Sequence, residues 1–101
     1  MIIKEKTSFE NLKISSMAKL VVDIEREIIS IGCELHIDCA DELMEDGSKY
    51  DNLWGSNVYP DKKIDFVSLI NIRPKENNRS MEIKNENIKN KVENIIKKFL
   101  I

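Results

Sequence analysis

The chain has 101 residues, 42% of them hydrophobic and 34% charged, with a formal net charge of −2. This suffices for one hydrophobic core, is too short for two, and excludes a disordered chain, whose apolar content is far lower. Three glycines and two prolines leave little room for linkers, so residues 1–101 are expected to form a single domain. Isoleucine, lysine and asparagine account for 39 residues, the bias of AT-rich coding DNA, which strips lysine clusters of much chemical meaning.

Residues 2–5 are short and β-compatible, the pattern of an edge strand. Thr7 and Glu10 stand at capping-box spacing and predict a short helix to about residue 14. Met17, Leu20, Val21, Ile24, Ile28 and Ile31 recur every three or four residues, predicting a long amphipathic helix over 17–31, stopped by Gly32. From Cys33 the period becomes two: Cys33, Leu35, Ile37 and Cys39 alternate with Glu34, His36 and Asp38, a half-buried strand. Residues 40–46 form helical turns ended by Gly47, and a turn-rich stretch leads to a strand over 53–59 that stops at Pro60. Residues 64–73 carry apolar side chains on both faces, the pattern of a central strand, and Pro74 ends them. A turn over 75–78 precedes a short strand over 79–84. Asn85 or Asn87 caps a last helix with Ile88, Val92, Ile95, Ile96 and Phe99 on one side. This order predicts an α+β fold: a mostly antiparallel sheet of four to five strands with two long helices packed on one face.

Neither a signal-peptide core nor a membrane span is present in the sequence, so a cytoplasmic protein is expected. Along one strand, Cys33 and Cys39 would lie about 20 Å apart, beyond any disulfide, and are expected as reduced thiols. No second cysteine pair exists to complete a thiolate zinc site. Residues 1–61 hold 13 acids against 6 bases and residues 62–101 hold 10 bases against 5 acids, so the chain is electrically two-ended. The acidic stretch 33–51 would repel a phosphate backbone, which excludes broad nucleic-acid binding.

Glu34, His36 and Asp38 share the polar face of the expected strand and offer a nitrogen and two carboxylates to a divalent metal, the one cofactor such a face would take. Pro60-Asp61, or Asp65, followed by Glu82-Ile83-Lys84 is similar to the acid, then acid-x-lysine pattern of the PD-(D/E)xK nucleases. That resemblance implies metal-dependent hydrolysis with Asp65, Glu82 and Lys84 catalytic. Arg73, Asn77 and Arg79 flank a polar turn able to grip an anion or a phosphate-bearing ligand. Trp54 and Asn57 stand in a segment that offers a ligand or interface wall.

The segments V-V-D-I-E (21–25), I-G-C-E-L-H-I-D (31–38), E-D-G-S (45–48), L-W-G-S-N-V-Y-P (53–60), S-L-I-N-I-R-P (68–74) and N-R-S-M-E-I (78–83) form a specific signature. They resemble a family of small uncharacterised bacterial proteins grouped as a domain of unknown function. The family brings no activity, cofactor or mapped site. From the residues alone, the reading is a small cytoplasmic binding or interaction module that self-associates as a homodimer, with no bound cofactor and no membrane partner. An enzyme is the less favoured alternative.

Overall fold

The computed structural model describes residues 1–101. Five strands form one antiparallel sheet in the order β1-β3-β2-β4-β5: β1 (Ile2–Ile3), β2 (Ala18–Asp23), β3 (Ile28–Cys33), β4 (Leu53–Val58) and β5 (Ile64–Asp65). Two α-helices complete the fold, α1 (His36–Glu45) and α2 (Glu86–Leu100). The α+β class with an antiparallel sheet is as the sequence predicts. No helix is long and apolar enough to cross a membrane.

The helix expected over 17–31 is instead the β2–β3 hairpin. Its apolar positions fit a 3.6-residue period, but Val21, Val22, Ile28, Ile29 and Ile31 are β-branched and lose more side-chain freedom in a helix than in a strand. Asp23 closes the turn. Its carboxylate Oδ1 accepts from the backbone N–H of Glu25 and Arg26 at 2.9 Å each, and Glu27 adopts a left-handed φ of 53°. β2 is the central strand, buried on both faces, and its apolar run was misleading for that reason.

The two helices therefore cover opposite faces, correcting the expectation of both on one. Leu20, Val22, Ile29, Ile31 and Trp54 pack in one core cluster with Val92, Ile96 and Phe99 of α2. Val21, Ile28 and Leu53, which project the other way, pack with Cys39, Ala40 and Leu43 of α1. α2 forms where the sequence places it, with Asn85 Oδ1 accepting from the Ile88 N–H at 3.1 Å as its cap. Residues 7–14 form turns rather than a helix; Ser8 caps Asn11, and Lys13 ends the segment at a φ of 57°.

The predicted strand over 64–73 continues only through Asp65. Ser68 then accepts from the Ile70 N–H and starts a 3-10 turn, Leu69–Asn71. This segment still runs beside β4, and its alternation has a use. Asn71 places its carboxamide where a neighbouring strand's backbone would be: Oδ1 accepts from Gly55 N–H at 2.8 Å and Nδ2 donates to Gly55 O at 3.0 Å. Two residues on, the Arg73 guanidinium donates to Leu53 O. Side chains thus close the edge of β4 that β5 leaves unpaired. The expected strand over 79–84 is reduced to one bridge, Glu82 opposite Val67.

Candidate functional site

The β2–β4 register pairs Lys19 with Asn57 and Val21 with Gly55, so Lys19, Gly55 and Asn57 project toward α1. α1 is too short to cover them. Beyond its first turn an open cleft of about 360 Å³ remains, walled by Met17, Leu35, Ile37, Leu69 and Met81 over a floor that includes His36 and Asn57. Its rim is apolar and exposed, Leu69 by 71% and Leu35 by 57% of their surface. An apolar rim around polar groups, with Lys19 also in the lining, is the usual make-up of a ligand cleft.

His36 is the first residue of α1, not the middle of a strand. Its Nε2 lies 2.8 Å from Ser56 O, and a carbonyl can only accept, so Nε2 carries the proton and Nδ1 keeps a lone pair. Gly55 makes this approach possible. A Cβ there would fall 2.5 Å from Ser68 Cβ and 3.2 Å from His36 Cδ2, so any side chain would displace one or both. Asn57 is 8% exposed. Its Nδ2 donates to Asp65 Oδ1 at 2.6 Å and to Val67 O at 3.1 Å, while its Oδ1 is buried without a hydrogen-bond partner. That oxygen is sealed from solvent, and the Asn57 carboxamide neighbours the His36 ring.

Burial holds the His36 pKa below its usual value. The nearby Lys19 charge adds to this, and the Ser56 carbonyl, Asn57 and Asp65 oppose it. A positive helix start also disfavours imidazolium. The unfolded chain therefore binds a proton on His36 at a higher pH than the folded chain does. Stability from this residue is complete above pH ~6.5 and is lost as pH falls from there through the folded pKa. Urea unfolding at pH 7.5 and pH 5 should show a larger acid loss for the native chain than for H36Q, and an NMR titration should find the Nε2–H tautomer.

The other expected sites are arranged differently. Glu34 and Asp38 do not share a strand face with His36, and no group of three His, Cys, Asp or Glu side chains is set to hold a metal ion. Asp65 accepts from Asn57 and from Tyr59 OH at 2.6 Å, whereas Glu82 and Lys84 pair with each other at 3.6 Å on the surface. The acid and the acid-x-lysine pair thus belong to separate local contacts. Arg73 faces inward, separated from the exposed Asn77 and Arg79, so the proposed anion grip is not assembled. Trp54 is a core residue, 1% exposed, with the Arg73 guanidinium 4.2 Å above its ring. Of the expected ligand-binding residues only Asn57 lines the cleft, where it meets His36, one of the expected metal ligands.

Cys33 and Cys39 are joined in a disulfide, with Cα atoms 5.7 Å apart. The expectation of separated thiols assumed one straight strand. β3 ends at Cys33, Gly32 precedes it with a φ of +91°, and the chain turns into α1, which brings Cys39 back.

The profile of DUF5674, described as a protein of unknown function, matches residues 1–99. The chain belongs to this family. No curated protein and no solved structure matches it. Family membership carries no activity, so the cleft itself bears the functional argument. Sequence reasoning missed its walls: Met17, Leu35, Ile37 and Leu69 read as apolar-face residues of a helix or strands that do not form as expected, and Met81 carried no reading of its own. The one available signal was Gly55, which breaks a strand pattern at a point of close approach.

Proposed function

We propose that this DUF5674 protein is a binding module whose cleft takes a small, largely apolar ligand. The observation that carries this reading is the apolar cleft itself, whose walls Leu35, Leu69 and Met81 stand exposed around His36 and Asn57. The body of such a ligand would cover Leu35, Leu69 and Met81. The cleft lies within the size range of small-ligand sites. Hydrolysis finds less support, because the carboxylates of the nuclease pattern are engaged in separate contacts.

Indole and benzamide are suitable probes. For ligands this small, binding on the order of 1 mM is expected. NMR shifts should concentrate on residues 35–37, Asn57, Leu69 and Met81. Both Asn57→Leu and His36→Phe should weaken binding at least tenfold while keeping the fold. Shifts scattered over the surface, or none at saturating probe, would reject the cleft as a site.

Self-association is the alternative use of the same apolar rim, and a homodimer burying it would compete with the probes. Sedimentation at high micromolar concentration separates the two: a monomer that binds indole supports the ligand reading. A cytoplasmic location belongs to the same proposal, and it would expose the disulfide to cellular dithiols.

A further inference from the structure

The disulfide encloses Glu34, Leu35, His36, Ile37 and Asp38, and the middle three of these line the cleft. One covalent bond therefore spans the segment that supplies one cleft wall and the imidazole of its floor. The same segment has little else to hold it. Leu35, at the N-cap position of α1, provides no side-chain hydrogen bond, in contrast with the Asn85 cap of α2. Leu35 and Ile37 are exposed, and Glu34 is fixed by its carbonyl, which accepts from Lys19 Nζ at 2.8 Å. Its other ties are the bond between His36 and Ser56, the Asp38 N–H donating to Leu35 O at 3.0 Å and the backbone bonds of the α1 start. An uncapped helix start frays readily once its tether is cut.

The two sulfurs also differ in access. Cys39 is 1% exposed and packs in the α1 core, whereas Cys33 is half-buried and borders an open groove with Gly32 and Glu34. A thiolate from a dithiol reductant can reach Cys33 through that groove.

We propose that the Cys33–Cys39 bond is a redox latch on the cleft: oxidised, it holds residues 34–38 in binding geometry, and reduced, it releases them. The inference rests on the reading of the cleft as the binding site. In the first step a reductant thiolate attacks Cys33 Sγ, forming a mixed disulfide and breaking the Cys33–Cys39 bond. The electron pair leaves on Cys39, which takes up a proton. The reductant's second thiolate then attacks its own sulfur in the mixed disulfide and releases Cys33, which is protonated in turn. The protein gains two electrons and two protons, and the dithiol becomes a disulfide.

The test compares the oxidised chain, the dithiothreitol-reduced chain and the double variant C33S/C39S, with thiol content verified by alkylation and mass spectrometry. Reduction should speed amide exchange of residues 34–38 at least tenfold, move the His36 titration toward that of a free histidine, and weaken indole binding at least tenfold. Protection of Val92 and Ile96 in α2 should stay unchanged, and C33S/C39S should behave as the reduced chain and ignore dithiothreitol. Equal exchange and equal His36 titration in both redox states would overturn the latch. So would loss of protection in α2, since the bond would then staple the whole fold. If the loop loosens on reduction but indole binds neither form, the binding reading fails while the effect on the segment stands.

Discussion

Arg73→Met is expected to lower stability by roughly 3–5 kcal/mol, one of the two largest single-residue effects in this chain. The guanidinium is buried and donates to Ile70 O at 2.9 Å, Tyr50 O at 3.2 Å, Asp51 O at 3.4 Å and Leu53 O. It lies between two aromatic rings, 4.6 Å from the Tyr50 centroid and 4.2 Å from that of Trp54. Methionine keeps much of the stem's volume and supplies no donor, so several inward carbonyls lose their partner at once. Lysine retains the charge but neither the planar stack nor the fan of donors, and should recover only part of the loss. Thermal unfolding reads the effect as a fall in Tm of roughly 12–24 °C at the lower end of that range. A loss below 1 kcal/mol for Arg73→Met would mean that water or rearranged backbone replaces the guanidinium.

Asn71→Asp is isosteric and should cost about 4 kcal/mol or more at pH 7. Asn71 is fully buried, and its Nδ2 donates to Gly55 O, Phe66 O and Met81 O at 3.0, 3.3 and 3.0 Å. Aspartate keeps an acceptor for Gly55 N–H but turns a carboxylate toward three carbonyl oxygens. Repulsion and burial would raise its folded pKa above the unfolded value. The penalty should therefore be smallest below the unfolded pKa and grow as pH rises through the folded one. Denaturation of the variant and the native chain at pH 4 and pH 7 checks this: the gap between them should widen at pH 7. A gap that does not change with pH would argue against a buried charge at this position. Because Asn71 braces Gly55, beside the His36 contact, His36→Phe should be far milder for stability than Asn71→Asp.

Both residues show what the alternation of S-L-I-N-I-R-P encodes. Period two implied a central strand, and Asn71 and Arg73 do address alternate residues of β4, Gly55 and Leu53, as strand residues would. They do so with side chains instead of backbone, because Ser68 starts a 3-10 turn and Pro74 forbids continuation. The anion-grip reading already singled out Arg73. Its direction, inward to carbonyls rather than outward to an anion, depends on where Tyr50 and Trp54 fall in space.

By itself the sequence determined the class, the β4 strand, the α2 helix with an asparagine cap at 85 or 87, and the family signature. These are local matters of period, cap and turn chemistry, in which neighbours a few residues apart decide the outcome. Tertiary structure decided the rest. The spacing from Met17 to Ile31 fits a helix face, and burial of β2 on both faces, together with its β-branched residues, selects the hairpin. The alternation from Cys33 to Cys39 fits a strand, and only the turn after Gly32 brings the two sulfurs together. The cleft belongs to this second kind of feature. His36 and Asn57 are 21 positions apart, and they share a floor because the β2–β4 register and the start of α1 meet above Gly55. A pattern read along the chain reports which residues can be buried, and pairing between distant segments determines which of them remain open to a ligand.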